Sequence, residues 1–96
     1  MEILVTYDVS TTTSEGRRRL RRVARVCVDF GQRVQKSVFE CSVDDGQLVV
    51  LRSRLLDEVD LEEDSLRLYR LIGSLSQVVE HYGRDPRIDF EGPLIV

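Results

Sequence analysis

Histidine, cysteine and long apolar runs are scarce in this sequence, and each scarcity removes a class of explanation. His81 is the only histidine, and it reads as a solvated strand residue rather than part of a site. Cys27 and Cys41 are the only cysteines. They fall on different expected elements without metal-ligand spacing, so they read as free, core-side thiols of a reducing cytoplasm. No stretch approaches the ~20 apolar residues that cross a bilayer, and the N-terminal segment reads as a strand without a signal-peptide pattern. Internal repeats and low-complexity tracts are also missing.

What is present is one globular domain. Ninety-six residues, 42% hydrophobic and 32% charged, leave room for a single core. The net charge of −3 argues against a strongly basic nucleic-acid binder, but the distribution points the other way. Arg17, Arg18, Arg19, Arg21, Arg22, Arg25, Arg33 and Lys36 crowd one segment, opposed there only by Glu15 and Asp29. The segment 44–64 is acidic. Average near-neutrality thus conceals a basic face, which a polyanion would meet, and an acidic one.

The chain is organised around Glu2-Ile3-Leu4-Val5-Thr6-Tyr7-Asp8-Val9, a near-continuous β-favouring run that predicts a strand buried on both faces. Asp8 is out of place in such a strand, because an unpaired buried carboxylate costs several kcal/mol. The polar Ser10-Thr11-Thr12-Thr13 ends the strand and puts Asp8 at its open rim. There it either caps the following turn or is neutralised by a cation or a base.

Thr12 and Glu15 have the spacing of a capping box, which predicts a helix from there to about Phe30, stopped by Gly31. Leu20, Val23, Ala24 and Cys27 form its apolar face. From Gln32 to Val43 the alternation changes phase, as expected for a hairpin turning near Lys36-Ser37 or for a β-bulge. Asp44, with Gln47 in the reciprocal position, opens a second helix whose stripe is Leu48, Leu51, Leu55 and Val59. After the loop 60–63, residues 64–72 read as a strand ending near Gly73, and Gln77 to Tyr82 as a weaker strand. Arg84-Asp85-Pro86-Arg87 reads as a turn and Pro93-Leu94-Ile95-Val96 as a short terminal strand.

The resulting order, βαββαβ with an extra C-terminal strand, predicts an α+β, ferredoxin-like domain spanning residues 1–96, with two helices on one face of a four-stranded antiparallel sheet. The other face must be wet, bind a ligand or pack on a second sheet. An exposed Pro-Leu-Ile-Val end in so small a chain favours pairing with a partner's sheet, hence a homodimer.

Val5-Thr6-Tyr7-Asp8-Val9, the basic helix from Arg17-Arg18-Arg19, and 32–41 (Gln-Arg-Val-Gln-Lys-Ser-Val-Phe-Glu-Cys) occur in a distinctive order with 64–69 and the Glu91-Gly92-Pro93-Leu94-Ile95-Val96 end. In these stretches the sequence resembles CRISPR-associated protein 2, the small partner of the integrase that captures new spacers. The resemblance implies a ferredoxin-like homodimer in which two Asp8 carboxylates face one another and hold Mg²⁺ or Mn²⁺. It also implies Tyr7 beside Asp8 at a catalytic centre, Arg17, Arg19 and Arg33 near phosphate oxygens, and Ser37 and Phe39 lining a nucleic-acid cleft. From the residues alone, Arg33 is equally an ordinary surface arginine, Phe39 a core residue and Ser37 a turn residue.

Three functions follow. The first is a metal-dependent endonuclease that cleaves RNA or double-stranded DNA during spacer acquisition for antiviral defence. The second is a non-catalytic DNA-holding dimer that bridges integrase subunits. The third, independent of the resemblance, is a small ligand-binding regulatory domain, which the arginine-rich helix disfavours because small-molecule sites are mostly apolar.

Overall fold

The computed structural model describes residues 1–84. Its elements are β1 (Glu2–Asp8), α1 (Ser14–Val28), β2 (Gly31–Gln35), β3 (Val38–Ser42), α2 (Asp45–Glu58), β4 (Ser65–Leu71) and a single helical turn, α3 (Leu75–Val78). The strands form a four-stranded sheet in the order β2-β3-β1-β4, and every neighbouring pair is antiparallel. This is the ferredoxin-like arrangement expected from the element order. The expected turn at 84–87 lies mostly, and the extra terminal strand wholly, outside the described residues.

Strand alternation separates two faces. Ile3, Val5, Tyr7, Phe39 and Cys41 point toward the helices, which contribute Val23, Val26 and Cys27 from α1 and Leu48, Leu51 and Leu55 from α2. The opposite face carries Leu4, Thr6 and Asp8 on β1, with Val38 and Glu40 aligned on β3 and Arg67 and Tyr69 on β4. Burial on both faces, the expectation for β1, is therefore not met within one chain. Ile3, Val5 and Tyr7 are buried, whereas Leu4 and Thr6 are only half-buried.

Several local expectations shift by a residue or change type. The cap of α1 is Thr13 rather than Thr12: the Thr13 hydroxyl accepts the Gly16 N–H at 3.0 Å. The Thr12 hydroxyl instead lies 3.3 Å from that of Ser10. The helix stops at Val28, and Gly31 begins β2 instead of capping. A methyl group at Gly31 would lie 2.2 Å from the Glu40 carbonyl oxygen, so glycine is required by the close approach of two strands. The hairpin turns at Lys36-Ser37 and also carries an irregularity between Arg33 and Gln35, so both explanations of the phase change hold. Asp44 caps α2 as expected, accepting from Gln47 N–H at 2.7 Å while its own N–H donates to Gln47 Oε1 at 2.9 Å.

The strand expected at 77–82 is absent. Gly73, at a φ of 97°, turns the chain out of the line of β4, and Ser74 N–H donates to Gln77 Oε1 at 3.2 Å, which fixes a helical turn. The β-branched pair Val78-Val79 has strand propensity, but among the described residues no strand pairs with it.

Candidate nucleic-acid and metal site

Asp8 closes β1 on the open face of the sheet, and its side chain is exposed. Its register partner on β4 is Ser65. On the other side, the Tyr7 N–H donates to the Ser37 carbonyl at 3.1 Å, which brings the hairpin tip next to the same rim. Among the described residues the Asp8 carboxylate has no hydrogen bond or ion pair. It is thus free to take a ligand and is not acting as a turn cap. Its oxygen chemistry suits a hard cation such as Mg²⁺. One chain nevertheless supplies a single carboxylate: among the described residues, no group of three or more His, Cys, Asp or Glu is placed to hold a metal.

The other expected site residues divide sharply. Tyr7 lies on the opposite face from Asp8, 6% exposed. Its ring is stacked with Phe39 at a centroid distance of 6.3 Å, and its hydroxyl donates to the Lys36 carbonyl at 3.4 Å. Burial, with the neighbouring Cys27 thiol, pushes the Tyr7 phenol upward. Phe39 is completely buried, so core packing prevails over an exposed cleft position. Arg33 lies over that ring, its guanidinium carbon 5.1 Å from the centroid; the rest of the residue is exposed at the sheet edge. Ser37 is half-buried in the turn, held through its carbonyl. Asp8 and Ser37 are therefore brought together at the rim, whereas the side chains of Tyr7 and Phe39 are not.

Helix α1 presents Arg17, Arg18, Arg21, Arg22 and Arg25 to solvent. Arg17 donates to the Thr11 carbonyl at 3.2 Å, which holds it beside the loop after β1, and Arg18 makes a long 3.7 Å contact with Glu15. Arg19 does not share this exposed face. Its Nε and one terminal nitrogen donate to Asp64 at 2.9 and 3.2 Å, with side-chain exposures of 11% for Arg19 and 0% for Asp64. Asp64 is the structural partner that the sequence reading missed. It appeared there as an ordinary strand residue, and only its position just before an apolar strand, at the end of an acidic loop, marked it out.

A four-stranded antiparallel sheet with two helices on one face, an exposed carboxylate at its rim and an arginine-lined helix makes this a ferredoxin-like α+β protein with a strongly basic helix surface. More narrowly, the chain belongs to the CRISPR associated protein Cas2 family, which it matches over residues 1–75. It is 55% identical over 96 residues to CRISPR-associated endoribonuclease Cas2 1 of Moorella thermoacetica, covering 100% of both chains. It is 53% identical over 95 residues to CRISPR-associated endonuclease Cas2 of Halalkalibacterium halodurans, covering 99% of each. The crystal structure of Streptococcus pyogenes Cas2 at pH 6.5 superposes with a TM-score of 0.77 and 52% identity, over 86% of this chain and 100% of that one.

Proposed function

We propose that this protein is a CRISPR-associated endonuclease that hydrolyses phosphodiester bonds of RNA or double-stranded DNA and takes part in spacer acquisition. The observation that carries the reading is Asp8, an exposed carboxylate at the end of a central strand with no partner among the described residues. The names of close relatives, endoribonuclease in one case and endonuclease in another, agree with it. The working unit is a homodimer formed across the open sheet face, where Leu4, Val38 and Tyr69 supply apolar surface. In such a dimer Asp8 and the partner subunit's Asp8 would together hold Mg²⁺ or Mn²⁺, since two carboxylates make a far better divalent site than one. When bound there, a divalent cation would supply charge stabilisation at the scissile phosphate and a water of lowered pKa.

Within this scheme Arg17 contacts backbone phosphate from the first turn of α1, where the helix N-terminus adds favourable field. Arg33, on the edge strand β2, supports the backbone on its flank. Ser37 shapes the rim beside Asp8, while Tyr7 and Phe39 hold β1 and β3 in place from beneath. Two buried, unpaired thiols suit a cytoplasmic setting.

A second reading has its own support: five exposed arginines on one helix, and among the described residues no cluster of three or more acidic or other metal-ligating side chains, suit a dimer that grips DNA for an integrase subunit without cutting it. Purified protein incubated with RNA and with double-stranded DNA, under Mg²⁺, Mn²⁺ or chelator, separates the two. Metal-dependent cleavage supports the nuclease. Salt-sensitive binding without cleavage under any metal supports the scaffold.

A further inference from the structure

The Ser10 peptide, two residues beyond Asp8, is held from both sides. Its N–H donates to Asp64 Oδ1 at 3.0 Å. Asp64 also accepts the Asp60 N–H at 2.9 Å and the two Arg19 bonds described above, so its fully buried carboxylate has four donors. On the other side, the Ser10 carbonyl abuts α1 so closely that a methyl group at Gly16 would lie 1.9 Å from its oxygen. The residue after Asp64 is Ser65, the register partner of Asp8. The carboxylate that gathers these donors therefore sits where β4 begins to pair with the end of β1.

A bare surface arginine would not need this arrangement. The planar guanidinium presents a fork matched to one carboxylate, and that carboxylate bridges α1, the loop before β4 and the loop after β1. These are the three segments that converge on the rim. A buried carboxylate deprived of its charged partner would be destabilising, so removing Arg19 is expected to loosen the Ser10 and Asp60 amide contacts as well.

We propose that Arg19, Asp64 and Gly16 form a clamp on the Ser10 peptide that sets the direction of Asp8, so that Arg19 is a positioning residue and not a phosphate contact. The inference rests on the reading of Asp8 as the group that acts on nucleic acid. The clamp is a statement about geometry, however, and has readouts of its own.

Four variants test it: Arg19→Gln, Arg19→Lys, Asp64→Asn and, for contrast, Arg17→Gln. Each is assayed for cleavage of a short RNA and a DNA duplex, for the slope of log binding constant against log salt, and for amide exchange at Ser10 and Asp60. Arg19→Gln, Arg19→Lys and Asp64→Asn are expected to lower kcat about tenfold or more, because small misplacements of a reacting group are costly. KM and the salt slope stay as in the parent protein, and the Ser10 amide exchanges faster. Arg17→Gln instead raises KM and reduces the slope by about 0.9.

A slope that falls by about 0.9 in Arg19→Gln, or cleavage fully restored by Arg19→Lys, overturns the clamp, since a phosphate contact needs the charge and not the fork. Unchanged Ser10 exchange in both Arg19→Gln and Asp64→Asn overturns it as well. If the parent protein cleaves neither nucleic acid, the nuclease reading fails while the clamp still stands or falls on the slope and exchange results. Should Asp64→Asn not fold, Arg19→Lys decides.

Discussion

Tyr7 and Asp8 are adjacent in sequence and stand on opposite faces of the sheet: Tyr7 is 6% exposed beneath it against Phe39, and Asp8 is in the open at the end of β1. A one-residue step along a strand reverses the side-chain direction, so two residues that would share a catalytic centre are divided between core and rim. The consequence is a difference in what their removal does. Tyr7→Phe loses one long hydrogen bond and is expected to cost about 1 kcal/mol or less, with cleavage retained. Tyr7→Ala opens a cavity and costs about 3–5 kcal/mol. Urea midpoints and cleavage rates of the two variants check this, and loss of cleavage in a folded Tyr7→Phe would return the phenol to the mechanism.

The homodimer is tested on the open face. Leu4 pairs in register with Tyr69 on β4 and with Glu40 on β3, near the middle of the surface assigned to the interface. Leu4→Asp introduces a charge that a sheet-on-sheet contact would bury, at a cost of several kcal/mol. Sedimentation is expected to show a folded monomer for the variant and a dimer for the parent. A parent protein that is monomeric at micromolar concentration would remove the shared metal site.

The two thiols predict an alkaline limit. Burial pushes Cys27 up to about 12, helped by the nearby Cys41, and burial alone pushes Cys41 up to about 11. Each is raised in the folded chain, so the stabilisation is fully present below the ordinary value of 9.0. It is lost as pH rises above that value toward the folded ones. A thiol reagent at about pH 8 is expected to label neither cysteine in the native protein and both in denaturant.

Asp64 predicts an acid limit of the opposite sign. Burial pushes its carboxyl up, but the Arg19 guanidinium and the Asp60 and Ser10 amides outweigh that and hold it below its ordinary 3.8. A depressed carboxyl stabilises the fold above the unfolded value and stops doing so as pH falls through the folded one. Asp64→Asn is therefore expected to be less stable than the parent at about pH 7, with the gap narrowing below about pH 4. Urea midpoints at both pH values measure it.

Much of this architecture was readable from local pattern. The apolar run ending at Asp8, the Asp44–Gln47 reciprocal cap and the Leu48-Leu51-Leu55 stripe are all decided by residues a few positions apart, which is the range over which periodicity and capping rules operate. The Arg19–Asp64 pair spans 45 residues and left no local trace, so Arg19 read as one more member of a basic helix. Gly31 was misassigned for a related reason: a helix-stop glycine and a glycine pressed against a neighbouring strand look alike until the strands are paired. The stretch from Gln77 to Tyr82 reads as a weak strand, but the turn at Gly73 carries it out of line with β4. At the site, the position of Asp8 was legible, while the burial of Tyr7 and Phe39 depended on which face the helices cover.

The central claim is that Asp8 is the metal-holding group of a nuclease, and the Asp8→Asn variant tests it most directly. Asparagine keeps the size and removes the charge, at an exposed position where folding does not depend on it. The account predicts a variant with parent-like unfolding and dimer formation, nucleic-acid binding of parent-like salt slope, and no Mg²⁺-dependent cleavage. Cleavage by Asp8→Asn at the parent rate, under the same metal, would contradict it.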